Sequence, residues 1–92
     1  MHKVVRLGDM NSAGGRTMSG DSSFIVDGKP VCPVGTPVSP HAPCPLIKSH
    51  CNAKTTQGSG SFIVNGIKVT VVGNVDTCGH ARVQGSDHFL IG

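Results

Sequence analysis

The sequence predicts an all-β fold made of β-hairpin repeats about a pseudo-threefold axis. Three observations predict it. Gly is the most abundant residue, at 13 of 92, and with 6 Pro it interrupts almost every stretch of a dozen residues, which leaves long helices no room. A sixteen-residue segment occurs twice, as GDSSFIVDGKPVCPVG over 20–35 and GSGSFIVNGIKVTVVG over 58–73, with nine of sixteen positions identical. A thirteen-residue, Gly-to-Gly segment also occurs twice, as GDMNSAGGRTMSG over 8–20 and GNVDTCGHARVQG over 73–85.

Each repeated segment has a physical reading. In the hairpin unit, Phe24-Ile25-Val26 and Phe62-Ile63-Val64 are β-prone, and each is followed by Asp27-Gly28 or Asn65-Gly66. Those dipeptides suit a type I′ turn, whose two central residues both need positive φ. Alternation along the strands points Phe24, Val26, Phe62 and Val64 inward, together with Val31, Val69 and Val71. The chain closes on GSDHFLIG, a shortened third copy with Phe89 where Phe24 and Phe62 stand. The loop segment between Gly35 and Gly58 is eleven residues longer than its two counterparts. One hairpin cannot bury its own apolar face, but three about an axis can bury theirs against one another. The chain therefore reads as a single domain over 1–92, with loop-and-hairpin units at about 8–35, 35–73 and 73–92. The third is cut short, an asymmetry that the closure of the fold has to absorb.

Composition narrows function. The net charge is +3, and the eight Lys and Arg are scattered without a run, with three Phe and no Trp or Tyr. Nucleic-acid binding, which asks for clustered cations and stacking aromatics, is not expected. Apolar runs stop at three or four residues, too short for a signal peptide or a bilayer span. Synthesis in the cytoplasm is expected, and in a reducing compartment the four Cys read as metal ligands or plain thiols rather than disulfides. Cys32, paralleled by Thr70 in the second hairpin, reads as a small strand residue. His2 falls at a frayed start, and His88 on the surface.

Six of the nine His and Cys residues fall in two loop units: His41, Cys44, His50 and Cys51 in the long one, Cys78 and His80 in the last. Imidazole and thiolate are the ligands zinc prefers, and four close a tetrahedral structural site; the same donors also suit iron. Cys78 and His80 are two apart and project to one side of an extended segment. His50 and Cys51 are adjacent, so only one of them can face the same ion. A domain of this size often needs such a staple. The chain holds no Glu, and of its five Asp only Asp76 lies near these loops. Asp76 reads as a turn residue, matched by Asn11 in the first loop, so no general base or nucleophile motif suggests catalysis.

Val5-Arg6-Leu7-Gly8-Asp9 with Ser12-Ala13-Gly14-Gly15, then Gly58-Ser59 to Gly66, Val71-Val72-Gly73, Thr77-Cys78-Gly79 and Gly85-Ser86 to Gly92, resemble in order and spacing the PAAR-repeat proteins of type VI secretion systems and contractile phage tails. The resemblance covers essentially the whole chain. It implies a sharp β-cone with a metal, usually zinc, near the apex, held by His and Cys of the loop units. On that pattern the ligands are His41, His50, Cys78 and His80, with Cys44 and then Cys51 in reserve, because Ala13 stands where the family places its first-loop His. The eponymous Pro-Ala-Ala-Arg is degenerate in this chain, as Pro30-Val31-Cys32-Pro33 and Lys68-Val69-Thr70-Val71. The family role implies a non-enzymatic tip that caps a VgrG-like trimeric spike, one per trimer, and sharpens it for membrane puncture and effector delivery. Effectors would bind non-covalently, contact with the target membrane would be transient, and the protein would leave the cell on the spike. Two other readings are a phage baseplate tail-spike tip and a small metal-binding redox or enzyme module.

Overall fold

The computed structural model describes residues 1–91; Gly92, at the end of the third expected unit, lies outside the described residues. The described residues form six short strands, β1 (His2–Lys3), β2 (Asp21–Val26), β3 (Lys29–Val31), β4 (Ser59–Val64), β5 (Ile67–Val69) and β6 (Leu90–Ile91), with one 3-10 turn at Lys48–His50. They pair as three antiparallel ribbons, β2 with β3, β4 with β5, and β6 with β1. In the first two, the turns are as the sequence predicts: φ is 54° at Asp27 and 78° at Gly28, 52° at Asn65 and 80° at Gly66.

The third ribbon resolves the asymmetry. His2 pairs with Ile91 and Lys3 with Leu90, so the start of the chain supplies the strand that the last repeat lacks. His2, expected at a frayed start, is instead paired, and the register parallels Val26 with Lys29 and Val64 with Ile67. The outcome is a ring of three equivalent ribbons, one of which joins residues 2–3 to residues 90–91.

Closure is written in the backbone hydrogen bonds. The Val5 N–H donates to the Thr70 carbonyl (3.0 Å), Thr70 to Cys32 (2.8 Å), and Cys32 back to Val5 (3.0 Å). Leu7 to Pro30, Val34 to Lys68 and Val72 to Lys3 repeat the cycle in the hairpins, at 2.9, 2.9 and 2.8 Å. Ser12 to Ala81, Ser39 to Arg16 and Thr77 to Lys54 repeat it in the loops, at 2.9, 2.8 and 2.8 Å. In each cycle every unit gives to one neighbour and takes from the other. Backbone groups that would form a free sheet edge are satisfied within the ring.

The apolar core lies on this axis. Val4, Val31 and Val69 are fully buried, with Val26, Val64, Val71 and Ile91 around them. Phe24, Phe62 and Phe89 pack against that cluster, with ring centroids 4.9 to 5.4 Å apart. They include every side chain that the sequence assigns to the inner face, joined by Val4, Phe89 and Ile91, and the body they fill is elongated, 35 × 23 × 22 Å. Polar residues do as much inside. Arg6 donates from Nε and Nη2 to the two carboxylate oxygens of buried Asp9, at 3.0 and 3.1 Å, and from Nη1 to Asp27. Such a planar fork on a carboxylate fixes geometry as well as charge.

Truncating one of the three axial valines, as in Val69→Ala, should cost about 2 kcal/mol of unfolding free energy in chemical denaturation, since the ring cannot collapse to fill the gap. The half-exposed Ile63, changed to Ala, should move it by only about 0.5 kcal/mol.

Candidate metal centre

At the loop end of the body, four side chains meet. His41 and His50 come from the long second loop, Cys78 and His80 from the third, and one ligand atom of each lies within 4.8 Å of all the others. The ring centroids of the three imidazoles are 4.8 to 5.4 Å apart. His41 Nε2 is 3.3 Å from Cys78 Sγ and 3.3 Å from His50 Nδ1. Tetrahedral zinc, with bonds near 2.0–2.1 Å to nitrogen and 2.3 Å to sulfur, sets edges of about 3.3 Å between nitrogens and about 3.6 Å from nitrogen to sulfur. The edges from His41 to Cys78 and to His50 are already of that size.

The protons are arranged to leave lone pairs free. His41 Nδ1 lies 2.8 Å from the Ser39 carbonyl, which can only accept, so Nδ1 carries the proton and Nε2 presents its lone pair to the cluster. His80 Nδ1 lies 3.2 Å from Ser12 Oγ, while its buried Nε2 has no hydrogen-bond partner. An unpartnered buried nitrogen is costly unless an ion completes it. Burial, then the neighbouring His80 and His41 imidazoles, lower the pKa of His50 below its ordinary value, which favours the neutral form a metal requires. The donor set of three imidazoles and one thiol fits a metal ion that takes nitrogen and sulfur.

The loops are held by groups that charge and motif reading pass over. Asp76 accepts a hydrogen bond from Asn11 Nδ2 (2.9 Å) and an ion pair from Arg82 Nη2 (3.0 Å), with both charged side chains fully buried. Expected as a plain turn residue, Asp76 is that and more: its N–H donates to the His80 carbonyl and its own carbonyl accepts from Gly79, which folds the ligand-bearing turn. Arg82 also donates to the carbonyls of Asp9 and Gly15, tying the third loop to the first. The first loop contributes no ligand, and Ala13 is not in the cluster. It contributes Ser12 to orient His80, and Gly15 for space, since a Cβ there would lie 2.5 Å from His41 Nδ1.

The structure places the remaining Cys and His elsewhere. Cys44 and Cys51, held in reserve as ligands and expected as thiols, are joined in a disulfide with a Cα–Cα distance of 5.3 Å. That corrects the reading from redox compartment: the inserted loop turns back on itself, so the two sulfurs face each other rather than the cluster. Cys51 and His50 do diverge, one into the disulfide and one into the cluster, although they close the 3-10 turn Lys48–His50 rather than lying in an extended segment. Cys32 is fully buried beside the axis, and its burial pushes the thiol up to about 11, so it is inert. His88 is exposed and pairs with Asp27.

Among known families, the model described as PAAR motif matches residues 7–83. No curated protein matches the chain in sequence.

Because the folded value of His50 is lowered, the unfolded chain takes its proton first as pH falls. The group thus costs nothing above about pH 6.5, and acid erodes stability from there down through the folded value. Metal titrations should show affinity falling at least tenfold per pH unit in acid, because the ligands bind a metal only without their protons. Gly15→Ala should displace His41 from its Ser39 contact and weaken metal binding about 10- to 100-fold, the range seen when a supporting partner is lost.

Proposed function

The chain belongs to the PAAR-motif family, and from that premise we propose that it is a non-catalytic spike tip: a cap that docks on a VgrG-like trimeric spike and sharpens it for puncture and effector delivery. The observation that carries this reading is a threefold apolar set at the hairpin end. Phe24, Phe62 and Phe89 meet there, only partly buried, and the next residue of each strand, Ile25, Ile63 and Leu90, is 52, 53 and 41 % exposed. One chain thus presents the same residue types three times about its axis. Complementarity to a true trimer asks for that, and a single asymmetric partner does not. Exposed apolar residues repeated in this way are more informative than the same number scattered.

The opposite end suits load. A taper leaves no room for a core at its point, and we assign His41, His50, Cys78 and His80 as ligands of a zinc ion, with iron the alternative. Bound there, the ion would cross-link the second and third loops where apolar burial cannot. Structural zinc contributes on the order of 10 kcal/mol to the folding of a small domain, which is as large as the whole net stability expected of a domain this size. With all four positions filled by side chains, no site is left for a metal-bound water. Among the described residues, Ser86 and His88 both contact Asp27, which sets a carboxylate between them, so the His88 imidazole does not reach the Ser86 hydroxyl as a triad requires. Both features favour a structural role over an enzyme.

Mixed with a trimeric β-helical spike, the chain should bind at one copy per three spike chains. A double change of Ile25→Glu and Ile63→Glu should weaken that binding at least tenfold with the metal still bound, while a complex at one cap per spike chain would contradict the threefold match.

A further inference from the structure

The insertion that carries His41 and His50 is short of anything to hold it. Leu46 is 89 % exposed and Ile47 51 %, so the loop gains little from apolar packing. The hydrogen bonds described for residues 42–49 stay inside it: Cys44 N–H to His41, Ile47 to Pro43, His50 to Ile47 and Cys51 to Lys48, at 2.8 to 3.1 Å. At its base the His41 N–H donates to the His50 carbonyl at 3.2 Å, so the two imidazoles sit on one small closed loop. The covalent element is the Cys44–Cys51 disulfide, three residues after one of these His and directly after the other.

We propose that Cys44 and Cys51 form a redox-operated clasp on the metal centre: as a disulfide they hold His41 and His50 in ligating positions, and as a dithiol they release that half of the site. The inference rests on reading the four-residue cluster as a metal centre. Cross-linking a short loop removes conformations the open chain would otherwise explore, so the ordering cost is met before the metal arrives. Both sulfurs belong to half-buried residues, within reach of a small thiol, whereas Cys32 is fully buried and Cys78 lies in the cluster. The chemistry is thiol–disulfide exchange with a small disulfide such as oxidised glutathione. One cysteine thiolate attacks the glutathione disulfide and releases one glutathione. The second cysteine then displaces the other glutathione from the mixed disulfide. One S–S bond forms in the chain as one breaks in the oxidant, and two electrons and two protons pass to glutathione.

Linkage makes the effect reciprocal: whatever factor the disulfide adds to metal affinity, bound metal adds to the stability of the disulfide. The clasp is therefore open in a reducing thiol pool and closes in an oxidising one, tightening the tip where it is exposed.

The test uses the full chain, with zinc as the probe. Affinity is measured by competition with a chromophoric chelator for the oxidised chain, the reduced chain, and the Cys44→Ala/Cys51→Ala variant. The Cys44–Cys51 equilibrium with glutathione is measured with and without zinc. The reduced chain and the variant should hold zinc at least tenfold less tightly than the oxidised chain, and zinc should shift the glutathione equilibrium toward the disulfide by the same factor. If the variant does not fold, the two redox states of the unmodified chain carry the comparison. Equal affinities in the two states would overturn the proposal. So would tighter binding by the reduced chain with a cobalt spectrum showing a second thiolate, which would make Cys44 or Cys51 a ligand. Absence of zinc binding in every state would overturn the metal centre itself and the clasp with it.

Discussion

Every part of this molecule depends on three backbone amides that hydrogen-bond in a circle. Val5, Cys32 and Thr70 lie at equivalent places in three units, and each N–H donates to the carbonyl of a neighbouring one. A cycle of this kind exists complete or not at all, because removing any member leaves a buried donor and a buried acceptor unpaired. The cycle requires three ribbons, and the chain has turns for only two. The third exists because His2–Lys3 returns to pair with Leu90–Ile91. Residues 2–3 and 90–91 thus complete the ring, which protects strand edges that a free hairpin would expose.

The same closure creates the problem that the apex solves. Three loops forced onto one axis have little volume between them, and the side chains buried near the loops are mostly polar: Asn11, Thr17, Thr55, Asp76 and Arg82. Arg82 and Asp76 settle their charges on each other, an arrangement that leaves an uncompensated buried ion if either is removed. At the far end of that polar layer stand His41, His50, Cys78 and His80. Two loops supply all four. The third unit gives two from one turn, and the second gives two because its insertion is long enough to approach the axis twice. The first, with Ala13 and Gly15, gives room and a hydroxyl.

Much of this is legible in the sequence, for local reasons. Asp27-Gly28 and Asn65-Gly66 mark their turns because so few residues accept positive φ, and the Phe and Val positions follow from strand alternation. The four clustered residues are legible as donor types in two loops, with adjacency separating His50 from Cys51. What stays hidden depends on distance or on burial. Nothing in the dipeptide His2-Lys3 announces a partner near residue 90. Arg82 and Asp76 look like ordinary loop charges, since sequence shows charge but not that both are sealed from water. The Cys44–Cys51 disulfide escapes a reading from redox compartment because compartment describes surroundings, whereas pairing follows from how the loop between Pro40 and Asn52 turns.

The central claim is that one ion, gripped by three imidazoles and one sulfur, pins the second and third loops together. X-ray absorption at the metal edge of the purified chain addresses this most directly, alongside elemental analysis. The account predicts one metal per chain with a first shell of three nitrogens near 2.0–2.1 Å and one sulfur near 2.3 Å, as tetrahedral zinc would give. A shell with two or more sulfurs, a shell of light atoms alone, or protein that folds cooperatively with no metal at all would contradict it.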